Sequence, residues 1–147
     1  MMDLLDANVL IAAFRSDHVN HRQLRRCLEA RLARPDSVTF PHLVEVAFLR
    51  IVSHPKIFRQ PSTFGEANAF LEAIRESGAF VELPILPEFR RALSELCIKF
   101  SLVGNDLNDA YLAAVAIDAR LRLVSTDEGF RRFRGRNWVN PLRTKWP

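Results

Sequence analysis

Short apolar runs alternate with amphipathic stretches along this chain. Residues 2–5 form a brief, largely apolar run that stops at Asp6, which predicts a buried strand. Residues 9–14 carry the spacing of a helix that opens near Asn8. Residues 21–33 predict a basic amphipathic helix with Leu24, Cys27, Leu28 and Leu32 on one stripe. Pro35-Asp36 breaks it, and 38–40 (Val-Thr-Phe) predicts a short β-branched strand. Pro41 suits the first turn of the next helix, which places Leu43, Val46, Ala47 and Val52 at helical spacing. Ser62-Thr63 followed by Glu66 predicts a capping box, opening a helix that runs to about Ser77 and stops at Gly78.

The same alternation continues to the end. Residues 81–83 predict a strand, and 87–100 a helix with Phe89, Leu93, Leu96 and Phe100 inward. Gly104-Asn105 makes a turn, and Asp106 or Asn108 caps an alanine-rich helix that runs to Arg120. A strand at 121–125, a short helix at 128–133 and a last strand at 138–139 come next. Strands interleaved with helices of this length imply an α/β fold, a mainly parallel sheet covered on both faces. At 147 residues the chain is sized for a single domain spanning 1–147.

Composition narrows the class. Hydrophobic residues make up 48% and charged residues 26%, which excludes a disordered or fibrous chain. The longest apolar run, 110–117, is far short of a membrane span, and the first residues lack the pattern of a secretory signal. Cys27 and Cys97 sit among apolar neighbours as small core residues, so a reducing, cytoplasmic setting is expected. The net charge of +4 is unevenly spread. Residues 120–147 hold eight basic and two acidic residues, against 13 and 15 in the rest. That asymmetry points to an anionic partner.

The candidate chemistry is acidic. In open parallel sheets, sites gather beyond the carboxyl ends of the strands. Asp6 comes directly after the first predicted strand, Thr126 and Asp127 after the strand at 121–125, and Glu45 lies one turn into the helix after 38–40. Asp109 sits in the first turn of the helix at 106–120, three residues after Asp106 on the same face. Taken singly, each acid also fits a helix cap, a dipole partner or a turn. Four carboxylates at one edge would repel and raise one another's pKa unless a cation compensated. Oxygen ligands without cysteine or histidine suit Mg²⁺ or Mn²⁺ rather than Zn²⁺. His18 and His21 lack a third ligand nearby, and no GxGxxG, GxxxxGK[ST] or GxSxG motif is present.

These residues resemble a known family. Leu4-Leu5-Asp6-Ala7-Asn8-Val9-Leu10, Phe40-Pro41-His42-Leu43-Val44-Glu45-Val46, the segment from Asn105 through Asp109 to Ala114, and Leu123-Val124-Ser125-Thr126-Asp127-Glu128-Gly129-Phe130 look like the four acidic motifs of PIN-domain endoribonucleases, in order. Trp138-Val139-Asn140-Pro141-Leu142 is similar to the ending of one subgroup. More narrowly the chain resembles VapC-type toxins of bacterial type II toxin–antitoxin systems. The resemblance implies a PIN-like three-layer α/β/α sandwich, a cytoplasmic homodimer, and dependence on Mg²⁺ or Mn²⁺. It implies cleavage of structured RNA such as tRNA or rRNA, inhibition of translation, and neutralisation by a cognate VapB-type antitoxin. It assigns Asp6, Glu45, Asp109 and Asp127 as catalytic metal ligands and Asp106 as a secondary one, with Asn8 in support; Ser125 and Thr126, flanking Asp127, offer hydroxyls that either support a metal-held water or a phosphate or simply end the strand.

Phosphate contacts supply most non-specific affinity for RNA. The candidates for them are Arg131, Arg132, Arg134 and Arg136, then Arg22, Arg25 and Arg26. The alternatives are a catalytically silent PIN-fold module that binds RNA or protein, and a haloacid-dehalogenase-like phosphatase. The phosphatase chemistry wants a second acid two residues after the first, where this chain has Asn8.

Overall fold

The computed structural model describes residues 1–84, 86–133 and 137–146. Its sheet has four strands, β1 (Asp3–Leu5), β2 (Val38–Thr39), β3 (Arg122–Val124) and β4 (Trp138–Val139). They lie in the order β2-β1-β3-β4, and every pairing is parallel. Leu4 stands opposite Thr39 on one side and Leu123 on the other, while Val124 faces both Leu5 and Val139. β1 is buried throughout, as a strand covered on both faces must be. Six α-helices flank the sheet among the described residues: α1 (Ala7–Phe14), α2 (His21–Leu32), α3 (His42–Val52), α4 (Phe64–Glu76), α5 (Phe89–Lys99) and α6 (Asp106–Asp118). A 3₁₀ turn (Glu128–Arg132) links β3 to β4. The result is a three-layer α/β/α sandwich.

Local sequence explains most boundaries. Thr63 and Glu66 form the capping box, with both reciprocal hydrogen bonds made. The expected strand at 81–83 does not form. Only a single parallel bridge joins Phe80 to Val38, and Val81 N donates to Val38 O before the chain turns away. The stripe that α3 buries is also rotated from the expected one. Val44, Phe48 and Val52, spaced by four, face the core, while Leu43 and Val46 stay exposed. Phe48 explains the rotation. Its ring lies 5.4 Å from Phe14 of α1 and 5.5 Å from Phe70 of α4, so aromatic packing fixes the phase of α3. Cys27 and Cys97 are free thiols, each half-buried.

At the amino-terminal end of the sheet, Asp3 is fully buried among cations. Arg122 reaches it with two hydrogen bonds, of 2.7 and 3.0 Å. Arg31 Nε lies 2.7 Å away as an ion pair without hydrogen-bond alignment, and Trp146 Nε1 donates at 2.8 Å. One carboxylate thus joins β1, α2, β3 and the C-terminal segment. Its removal would strand two guanidinium groups. Asp3→Ala is expected to cost about 3–5 kcal/mol of stability, measured by urea denaturation, and a loss under about 1 kcal/mol would contradict this reading.

Candidate active site

The strand order reverses between β2 and β3, on either side of β1. Ligands of open parallel sheets bind in the crevice beyond the carboxyl ends at such a point. Asp6 is the first residue past β1. Its backbone is extended (φ −83°, ψ 157°), and Oδ1 accepts a 2.7 Å hydrogen bond from Ala7 N, so it caps α1. The cap directs the other oxygen toward β3. Asp6 Oδ2 accepts from Ser125 Oγ at 2.7 Å and from Asn8 Nδ2 at 3.1 Å. Asn8 Nδ2 also donates to Ser125 Oγ at 3.0 Å, Asn8 Oδ1 accepts from Thr126 N, and Ser125 Oγ accepts from Asp127 N. The serine hydroxyl therefore uses its one proton and both lone pairs.

Asp109 enters from the first turn of α6, and Asp127 from the residue that caps the 3₁₀ turn. With Asp6, they line a cavity of about 350 Å³ whose opposite wall is α3, through Leu43, Val46 and Arg50. Gly129 keeps space between two of the acids. A Cβ there would stand 3.0 Å from Asp127 Oδ1 and 3.8 Å from Asp109 Oδ2. Asp127 Oδ1 meanwhile accepts from Gly129 N at 2.7 Å. Arg132 offsets part of the charge. It donates to Asp109 at 2.9 Å and to Asp106 at 3.2 Å, and Asp106 does not line the cavity.

The electrostatics reflect crowding. Burial raises the Asp6 carboxyl above its ordinary range, and the neighbouring Asp127 charge adds to this against the hydrogen bonds from Ser125, Ala7 and Asn8. Asp109 is pushed up to about 6, first by burial and then by Asp127, with Arg132 opposing and Asp6 and Asp106 adding. The donor set is hard oxygen only, which fits Mg²⁺ or Mn²⁺. Among the described residues no three acids stand close enough to share one ion as placed. Two features nevertheless suit a cation: charge that Arg132 only partly offsets, and the space that Gly129 leaves beside Asp109 and Asp127.

Glu45 departs from the expected arrangement. It lies off the cavity, where Arg75 grips both its oxygens at 2.8 and 2.7 Å and His42 Nδ1 lies 2.8 Å from Oε2. Burial pushes its carboxyl up, but the bonds from Arg75 and His42 outweigh this and hold it below its usual range. The phase of α3 is the reason. Leu43, Val46 and Arg50 face the cavity, leaving Glu45 on another side of the helix. The structure therefore gathers three of the four expected carboxylates.

Three of the seven expected phosphate-binding arginines are engaged with carboxylates. Arg132 is bound to Asp106 and Asp109, Arg131 pairs with Glu128, and Arg25 pairs with Glu29. Arg22 and Arg26 line a larger, open concavity of about 610 Å³ along α2, which has no carboxylate in its wall. Arg134 and Arg136 lie outside the described residues. Sequence reasoning missed Arg75, Gly129, Asn140 and Arg50. Asn140 bridges Thr126 O and Glu128 Oε1, fixing the segment that carries Asp127. Of these, Arg50 could have been found from its spacing of seven from Leu43 on an apolar helix face.

A model of the PIN domain family matches residues 4–136. The chain belongs to the PIN domain family. Among curated PIN-domain relatives, Ribonuclease VapC31 of Mycobacterium tuberculosis is 39% identical over 140 residues, covering 95% of this chain and 99% of the relative. The crystal structure of VapBC2 from Rickettsia felis matches with a TM-score of 0.66 at 18% identity, covering 95% and 98% of the two chains. Mycobacterium tuberculosis VapC20, described as a Sarcin-Ricin loop cleaving toxin, matches with a TM-score of 0.66 at 14% identity, covering 95% and 99%. At those identities the structures show a shared fold.

The raised Asp109 carboxyl makes a pH prediction. Folded Asp109 holds its proton more tightly than unfolded Asp109, so the native state binds more protons between about pH 4 and 6. Stability of the metal-free protein should fall as pH rises through that window and then level off. Asp109→Asn should lessen the fall by about 1 kcal/mol once solvent screening is allowed for. Urea denaturation at pH values on either side of the window checks this, and an unchanged fall in the variant would contradict it.

Proposed function

We propose that this chain is a VapC-type, metal-dependent endoribonuclease, the toxin of a toxin–antitoxin pair. The observation that carries the reading is the cavity at the switch point of the sheet, with Asp6, Asp109 and Asp127 held around it by three separate segments. The naming of the full-length PIN-domain relatives as ribonucleases supports it. Asp6, Asp109 and Asp127 would hold Mg²⁺ or Mn²⁺. When bound, that ion supplies Lewis acidity toward phosphoryl oxygen and lowers the pKa of water. Ser125 and Asn8 fix the orientation of Asp6, and outer partners of this kind tune metal affinity. Gly129 holds open the space beside Asp109 and Asp127. Glu45, one residue from the cavity-lining Val46, would act through water or on release from Arg75. Asp106 would steady Arg132 rather than bind the ion itself.

The reaction would be hydrolysis of a phosphodiester bond, leaving a 5′-phosphate and a 3′-hydroxyl. The substrate would be structured RNA such as tRNA or rRNA, so that expression inhibits translation. The partners would be a VapB-type antitoxin and a second copy of the chain, in the cytoplasm. Among the described residues no helix is long and apolar enough to cross a membrane. Asn8 occupies the place where a dehalogenase-like phosphatase needs its second acid, and its side chain is spent tying Asp6 to Ser125 and Thr126.

Purified protein is expected to cleave total cellular RNA with Mn²⁺ and to stop with chelator. Asp6→Ala and Asp127→Ala should each reduce cleavage at least about a hundredfold while circular dichroism stays native. Cleavage that persists in either variant would overturn the assignment. Asn8→Ala is expected to weaken Mn²⁺ binding roughly 10–100-fold. A titration that finds its affinity unchanged would remove Asn8 from the supporting set.

A further inference from the structure

We propose that Arg50 is the phosphate clamp of this cavity, holding a backbone phosphate of RNA against the wall opposite the three aspartates. The inference rests on the ribonuclease reading and assigns how that site receives its polyanionic substrate.

The argument begins with charge. An RNA strand entering the cavity meets Asp6, Asp109 and Asp127, and all three repel it. A divalent ion would offset the carboxylates, but the strand still needs a donor to hold it. Arg50 is the one cation in the cavity lining among the described residues. It is exposed, and its guanidinium makes no ion pair or hydrogen bond among the described residues. Four other arginines are occupied. Arg132 is shared between Asp106 and Asp109, Arg75 is gripped by Glu45 and Glu82, and Arg131 and Arg143 both reach Glu128. An arginine left without a carboxylate, across the cavity from three of them, keeps all five donors available.

Geometry supports the same role. Leu43, Val46, Ala47 and Arg50 recur at the spacing of one helical face, so α3 presents an apolar wall that ends in a single guanidinium. Val46 is 61% exposed and Leu43 is 40% exposed, so this face of α3 leaves apolar surface open beside Arg50. The ribose and base of a nucleotide would lie against that wall, and its phosphate would meet the planar fork of Arg50, which matches two phosphate oxygens at once. Arg50 would therefore bind substrate and transition state alike, raising affinity more than turnover.

The test uses the full chain and two readouts. The first is binding of a single-stranded oligouridylate across a salt series with Ca²⁺ present to offset the aspartates, the oligonucleotide being confirmed intact on a gel. Arg50→Ala is expected to weaken binding about tenfold and to reduce the slope of log K against log salt by about 0.7, the contribution of one phosphate contact. Arg50→Lys is expected to restore the slope while recovering only part of the affinity, because a point charge lacks the fork. The second readout is Mn²⁺-dependent cleavage of total RNA. There, Arg50→Ala should raise KM with kcat changed less than about threefold, while Mn²⁺ affinity stays at the wild-type value.

An unchanged slope and affinity in Arg50→Ala would overturn the clamp and leave Arg50 to an acidic protein partner. A wild-type chain that does not bind the oligouridylate would overturn it as well. If the wild type binds but cleaves nothing, the ribonuclease reading fails alone, and the slope still decides Arg50.

Discussion

The site depends on one hydroxyl. Ser125 Oγ donates to Asp6 and accepts from Asn8 and from the backbone of Asp127, so a single atom joins the ends of two adjacent strands. β1 and β3 are three residues each, too short for their ladder alone to fix the segments that leave them. The polar network beyond their ends completes the register. It aims Asp6 toward β3, sets where Asp127 leaves the sheet, and spends Asn8 on holding Thr126. Buried networks of this kind are costly when a member is missing and specific when all are satisfied.

The two ends of the sheet solve opposite electrostatic problems. At the amino end a single aspartate, Asp3, is met by two arginines and an indole, so its charge is more than compensated and the chain is pinned. At the carboxyl end three aspartates share a cavity, and Arg132, split between Asp109 and Asp106, offsets only part of their charge. The raised Asp6 and Asp109 carboxyls record that imbalance. Uncompensated charge lowers the stability of the free protein, and a captured cation relieves it. The first arrangement serves folding. The second leaves charge for a ligand to satisfy.

Much of this was legible in the sequence because it is encoded locally. The βα alternation, the Thr63 capping box and the placement of acids after strands each depend on a few adjacent residues. Asp6 shows that a helix cap and a place in the cavity coexist, since the same carboxylate caps α1 and lines the cavity. The features that were not legible depend on rotation and on distant partners. The phase of α3 is set by Phe48 packing against Phe14 and Phe70, and that phase carries Glu45 to Arg75, thirty residues further along the chain. The strand expected at 81–83 carries a β pattern, but only a single bridge forms, at Phe80. Counting basic residues likewise could not tell a free arginine from one already paired, which is the difference between Arg50 and Arg132.

The account stands on the claim that Asp6, Asp109 and Asp127, which as placed do not stand close enough to share an ion, draw together on one divalent ion when it binds. Calorimetric titration of the chelator-stripped chain with Mn²⁺, in parallel with Asp127→Asn, tests it most directly. The account predicts saturable uptake by the native chain and at least about a tenfold loss of affinity in the variant. No uptake by the native chain, or equal uptake by both, would contradict it.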